Sequence, residues 1–507
     1  MIRRQRPNLR HTPERRYFDA PVVLKRSVQR ASVIGAVLGA AALIAAGTSA
    51  YAHGRAAAPH DIRDSNGFTH TFTSINWIHP PIAYFSGRDP DPVASGDIFV
   101  NSANSIQSGP MILNPQGQLL WFYPLRNRGA AYDVNVQPFQ GQSVLTFYGG
   151  GTDWIFNHNY QPVAQVAAGN GYSLGIHDFQ LTPQGTALIT VNKKVPWDLS
   201  GIGGSKQGTL IDNAIQEIDV STGQVLWQWD SDQHVKVRAS YVGKPGKSPY
   251  DYFHLNSVQQ LPDGNLLISA RNTWALYEID KQTGRILWAL GGKHSSFKMG
   301  AGTSFAWQHD ARSHNDGSIT LFDDGAGLYK TESQSRGLHL RVNFKAHRVT
   351  LIHAWMHNPS LLTYSQGNVQ LLLDGNTLVD FGSSPYFAEF DGSGRQVFSI
   401  HFPKPIQTYR AYRHAWWGQP TTPPSIATGA GSHGTWVWAS WNGATDFSTW
   451  RVLAGATQDP TGMKQVGQFS KKDFETQMWV GSKAPYFAVE ALSSHGQVRG
   501  TSAAIAR

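Results

Sequence analysis

Phe253-His254-Leu255-Asn256-Ser257-Val258-Gln259-Gln260-Leu261-Pro262-Asp263-Gly264-Asn265-Leu266-Leu267-Ile268-Ser269-Ala270-Arg271 reads as a short strand, a Pro-Asp-Gly turn and a second apolar strand. Trp274-Ala275-Leu276-Tyr277-Glu278-Ile279-Asp280 continues it, followed by a Lys281-Gln282-Thr283-Gly284 turn and Arg285-Ile286-Leu287-Trp288-Ala289-Leu290. Four short strands joined by tight turns make up one propeller blade. A His stands near the start of the unit and an Arg closes its second strand.

Relatives of this unit occur on both sides. Asn114-Pro115-Gln116-Gly117, Thr182-Pro183-Gln184-Gly185, His314-Asn315-Asp316-Gly317 and Leu373-Asp374-Gly375-Asn376 each lead into an apolar strand. Ile218-Asp219-Val220-Ser221-Thr222-Gly223-Gln224-Val225-Leu226-Trp227 repeats as 279–288. Such recurrence signals radial repetition. The expected fold is all-β, a six-bladed β-propeller of four-stranded antiparallel sheets, its blade count fixed to within one. Inner strands are expected to start near Tyr132, His177, His254, His309, Gln366 and Trp436. Segments 192–210 and 232–249 read as rim loops, and the Pro-rich 402–431 as an irregular excursion.

The 507 residues carry a net charge of +9, but residues 1–30 hold nine Lys and Arg against Glu14 and Asp19. The rest is therefore close to neutral and offers no basic patch for a nucleic-acid partner. Residues 31–52 contain no charge and end in Ala50-Tyr51-Ala52, the pattern of a signal peptide or a single transmembrane anchor. The expected organisation is a basic flank over 1–30, the export or anchor segment over 31–52, a lead-in over 53–94 and the propeller over 95–500. The body is then secreted or held on the outer face of the cell membrane. With no Cys in the chain, thiol catalysis and thiolate metal sites are excluded.

Three repeats place a His at an equivalent early position: His177-Asp178-Phe179-Gln180, His254-Leu255-Asn256-Ser257 and His309-Asp310-Ala311-Arg312. Inner strands run beside the central channel, so these imidazoles are expected to share one pocket with Asn256 and Arg271. Three imidazoles suit zinc, but Asp178 and Asp310 point away from a metal if the strands are regular. Anion chemistry fits better: a neutral His attacks sulfur or phosphorus, and a guanidinium stabilises the equatorial oxygens. Trp274, Trp307, Tyr412 and Trp416 are candidates for stacking on an aryl group.

Phe253-His254-Leu255-Asn256-Ser257-Val258, Ser269-Ala270-Arg271-Asn272-Thr273 and Trp307-Gln308-His309-Asp310-Ala311 resemble the arylsulfate sulfotransferase family, exported propellers that use no nucleotide sulfate donor. The C-terminal stretches 438–444 and 450–455 are similar to its divergent actinobacterial and fungal branch. The resemblance implies His309 as the sulfuryl-accepting nucleophile, and His254 and Asn256 as groups that hold sulfate oxygens and assist proton transfer. It implies Arg271 as the active-site arginine and His177 as a further pocket histidine. It also implies aryl sulfate and phenol as small-molecule partners, with no cofactor and no metal. The chain departs from better-understood members in lacking Cys, in having no room for an extra N-terminal β domain, and in carrying Asn272 where they carry His. Two other readings remain at this level: a non-catalytic extracellular propeller that binds glycan or protein, with 409–417 as its rim, and a quinone-dependent dehydrogenase-like propeller.

Overall fold

The structure, a computed structural model, describes residues 62–64, 67–87, 96–125 and 129–507. The basic flank and the apolar segment 31–52 lie outside the described residues, among which no helix is long and apolar enough to cross a membrane.

Six antiparallel sheets form the blades, and within each the strands follow one another from the axis outward. Blade 1 comprises Ala131–Phe139, Gln142–Gly149, Asp153–Phe156 and Pro162–Val166, and blade 2 Ser173–Leu181, Thr186–Trp197, Gly208–Asp219 and Val225–Asp230. Blade 3 is Leu255–Gln260, Leu266–Ala270, Ala275–Ile279 and Ile286–Gly291. Blade 4 is His309–Ser313, Ser318–Asp323, Arg336–Asn343 and Arg348–Trp355, with Lys298–Met299 added in parallel at its edge. Blade 5 is Asn368–Leu371, Thr377–Asp380, Tyr386–Phe390 and Gln396–His401, edged by Tyr84–Gly87.

Blade 6 closes the ring from both sides in sequence. Its inner strand is Ala411–His414, paired with Asp97–Ser102 so that Ala411 faces Val100, and Gly109–Leu113 and Leu119–Phe122 follow outward. The closing inner strand is thus not near Trp436. That residue lies in a separate three-stranded sheet, Ser425–Ala430, Thr435–Ser440 and Glu475–Val480. A second C-terminal sheet is built on Thr449–Gly455 and Tyr486–Leu492. Val437, Ala439, Met478 and Val480 from the first sheet meet Trp450, Val452, Phe487 and Val489 from the second in one apolar core, so residues 425–507 form a sandwich. Asn442 fastens the sandwich to blade 6 by bonding both the N–H and the C=O of Phe122.

Apolar clusters fill the spaces between blades, because each sheet must bury both faces. Leu188, Ile215, Val258 and Ile268 pack blade 2 on blade 3, Leu267, Leu276, Leu321 and Leu340 pack blade 3 on blade 4, and Leu113, Phe122, Phe387 and Ile400 pack blade 5 on blade 6. The expected rim loop at 192–210 is partly strand, since the hairpin Thr186–Trp197 and Gly208–Asp219 stays paired along its length.

Four inner strands are bulged: register shifts fall at Tyr132/Asn135, Leu174/Phe179, Leu255/Ser257 and His309/Arg312. Asp133 and Asp310 have positive φ within these shifts, and His254 has it just before its own. A bulge breaks the strict alternation of a strand and re-aims side chains, which is how consecutive residues at the axis serve two layers described next.

Candidate active site at the propeller axis

Blade 3 supplies two of the expected groups. At φ 57°, His254 turns out of its strand and its Nδ1 bonds Asp251 Oδ2 at 2.5 Å. Its ring meets that of His177 edge-on at 4.8 Å. The backbone carbonyl of His254 accepts the Arg271 N–H, which folds the turn Arg271–Thr273 back over the strand start. The Arg271 guanidinium lies 4.9 Å over the Trp307 ring. Its Nη1 donates to Asn272 Oδ1 and its Nη2 to the Tyr364 carbonyl, while Nε is buried without a partner.

Blade 4 supplies His309, 2% exposed. Gln308, fully buried, fastens the segment by donating its amide to Ser269 Oγ and to the Ala270 and Ala275 carbonyls. Asn256 donates Nδ2 to the Gln308 carbonyl at 2.7 Å, so it ties blade 3 to the residue preceding His309. His309 Nδ1 is 2.7 Å from Asp324 Oδ2, and Nε2 accepts the backbone N–H of Gln366 at 3.2 Å. A backbone N–H can only donate, so Nε2 is unprotonated and a neutral ring carries its proton on Nδ1, toward Asp324.

The electrostatics agree with a neutral ring. Burial, then Arg271, His254 and His177, hold His309 far below the ordinary imidazole range. His177 is lowered in the same way, by burial and then by His254. Burial pushes Asp324 above the usual carboxylate range, with Arg271 opposing. Burial would also raise Asp251, but His254 leads the groups that outweigh it and leave it below its usual value. Burial lowers Arg271, with Asp324 and Asp251 opposing, and a guanidinium stays charged at neutral pH throughout. His177, His254, His309 and Arg271 therefore converge, as their spacing in the repeats implies.

Two further residues were not singled out from the sequence, and a third, Tyr409, only as part of a rim. Asp251 and Asp324 orient two imidazoles, and Tyr409, buried, sets its ring edge-on to both His177 and Tyr132. Asp324 sits just past the end of the second strand of its blade, the place Arg271 occupies in blade 3. That equivalence was the available signal. Trp274 and Trp307 do flank Arg271, joined by Tyr241, which stacks on Trp274 at 3.7 Å, and by Tyr329 at 5.2 Å from Trp307. Tyr412 and Trp416 do not: Tyr412 is buried beside Arg410, and Trp416 bonds Tyr160 and packs on Phe99. Tyr409, Arg410, Ala411, Tyr412 and Arg413 are all buried, so only the end of 409–417, with Trp417 57% exposed, reaches the surface.

Asp178 and Asp310 turn away from the histidines, into a buried ion cluster. Arg410 Nη1 reaches Asp133 at 2.8 Å and Asp178 at 3.1 Å, and Nη2 reaches Asp310 at 3.4 Å. Arg312 binds Asp178 at 3.1 Å and Asp310 at 2.6 Å. Among the described residues no set of three or more His, Cys, Asp or Glu is arranged to hold a metal ion.

The family model described as arylsulfotransferase (ASST) matches residues 135–403, just over half the chain. The chain belongs to the arylsulfotransferase family. That match runs from within the first strand of blade 1 to the end of blade 5 and includes His177, Asp251, His254, Asn256, Arg271, His309 and Asp324, but not Tyr132, Asp133, Tyr409 or Arg410. Family membership supports an arylsulfotransferase-type function on small aryl molecules. No curated protein matches the sequence. Solved structures are similar at low identity. A protein of unknown function from Bacteroides caccae is 14% identical over 63% of this chain and 99% of its own, TM-score 0.41. A catalytically inactive virginiamycin B lyase from Staphylococcus aureus with quinupristin is 10% identical over 70% and 95%, TM-score 0.34. A protein from Lactobacillus plantarum is 12% identical over 70% and 97%, TM-score 0.35. The propeller assignment rests on strand pairing in this chain and not on these likenesses.

Proposed function

We propose that this arylsulfotransferase, working outside the cytoplasm, moves a sulfuryl group from an aryl sulfate to a phenol through a sulfohistidine at His309. The observation that carries the reading is the unprotonated Nε2 of a buried, Asp324-oriented imidazole beside Arg271. In the first step Nε2 attacks sulfur, an N–S bond forms, and the S–O bond breaks with its electron pair leaving on the phenolate. The Gln366 N–H that caps Nε2 moves aside to free the lone pair. Arg271, with its unpartnered Nε, draws on the sulfonyl oxygens as charge builds on them.

His254, 27% exposed at the mouth and held by Asp251, gives a proton to the departing phenolate and takes one from the acceptor phenol. In the second step the acceptor oxygen attacks sulfur and the N–S bond returns its pair to His309. Asn256 acts as a positioning residue through Gln308. His177 and Tyr409 wall the pocket, and Tyr329, 45% exposed, offers its ring to the aryl group.

Incubation with p-nitrophenyl sulfate, without acceptor, is expected to leave a sulfuryl adduct on His309 detectable by mass spectrometry. His309→Ala is expected to abolish transfer to phenol with the fold intact. Undiminished turnover in that variant rejects the assignment.

A further inference from the structure

A cavity of about 390 Å³ lies away from the histidines, between the sandwich and the outer edges of blades 5 and 6. Its lining includes Trp438 and Gln477 from the three-stranded sheet, Gln116 and Gln118 from a blade 6 turn, and Phe85 from the strand edging blade 5. Trp438 is 7% exposed, and its indole N–H has no partner.

The same sheet face continues outward as an aromatic approach. Val437 and Met478 point into the sandwich core, so their neighbours Trp436, Trp438, Gln477 and Trp479 share the opposite face. Trp436 pairs directly with Trp479 across the strands. Their rings lie 4.9 Å apart, both more than a third exposed, and Trp436 is 6.5 Å from Trp438. Glycines leave these rings their room: a Cβ on Gly431 would meet Trp479 at 2.5 Å, and one on Gly429 would meet Trp438 at 3.1 Å.

The chemistry of the lining selects its ligand. Asp473 and Glu475 line the cavity against one basic side chain, His70, with no Lys or Arg, so it opposes an anion and is not a second aryl sulfate site. Flat indoles cover the C–H faces of a ring, while amides donate to and accept from hydroxyls and carboxylates accept from them. An unpartnered buried N–H needs an acceptor. We propose that this cavity and its tryptophan approach bind a neutral saccharide, a site independent of the transfer reaction.

The test is electrophoresis of the full chain through native gels containing hydroxyethylcellulose, mannan or laminarin. Retardation in at least one gel is expected. Trp436→Ala, Trp479→Ala and Gln477→Ala should each weaken it by roughly tenfold, about 1.4 kcal/mol, with melting temperature and aryl sulfate turnover unchanged. Excess p-nitrophenyl sulfate should leave the retardation intact. Free migration in all three gels, parent-like retardation in the three variants, or displacement by p-nitrophenyl sulfate each overturns the proposal.

Discussion

His309 and His254 both give Nδ1 to an aspartate, and the two pairs differ in depth: His309 with Asp324 is sealed from solvent, whereas His254 with Asp251 is partly open. That division suits a nucleophile that must stay neutral and a proton carrier that must reach both substrates. Asp324 touches His309 and not the sulfuryl group, so Asp324→Asn is expected to lower kcat by about 10²-fold or more, through loss of the oriented tautomer, with KM nearly unchanged. Steady-state kinetics on p-nitrophenyl sulfate and phenol check this; an equal rise in KM with kcat preserved contradicts it. The histidines were readable from sequence because each stands at or near the start of a repeated strand. The aspartates were not, since Asp251 precedes its strand and Asp324 comes from the strand alongside, and only register brings them to the rings.

Turns dominate at the scale of elements. The Asx and Gly residues of the blade turns were legible because a positive φ or an Asx bond is written in the residue types. In Asp263-Gly264, for example, Asp263 Oδ1 accepts the Asn265 N–H and Gly264 sits at φ 92°. The bulges were not legible, since nothing local distinguishes His309-Asp310-Ala311 from a regular strand. Blade 5 opens with another unmarked device. Gln366 and Gly367 have φ of 75° and 97°, and this pair presents the Gln366 N–H to His309. A Cβ at Gly367 would meet Phe322 at 2.6 Å and the Asp380 carbonyl at 2.7 Å. Gly367→Ala is therefore expected to cost about 2–4 kcal/mol, from left-handed strain and overpacking together, and to change turnover by shifting the amide that caps Nε2. Urea unfolding and turnover measure the two effects, and parent-like values in both contradict the argument.

The ring as a whole is closed by the strand that also neutralises its axis. Local periodicity could reveal five inner strands but not the sixth. Ala411–His414 is only four residues long, stands in a Pro-rich stretch, and pairs with Asp97–Ser102 some three hundred residues earlier. Arg410, just before that strand, binds aspartates from blades 1, 2 and 4. Burial pushes Asp133 up to about 7, with Arg410 the first group opposing. An aspartate raised in the folded state contributes stability that is fully present below its unfolded value near 3.9 and fades as pH rises through the folded value.

Replacing Arg410 by Met strands several buried carboxylates and is expected to cost about 3–5 kcal/mol near pH 8. In the variant Asp133, already raised, rises further and holds a proton that the unfolded chain has already lost. The deficit should therefore shrink near pH 5.5. Parallel urea titrations of parent and variant at the two pH values decide it. A deficit that is equal at both, or larger in acid, means that the closing strand holds the ring by packing alone and that Arg410 carries no charge balance for the axis.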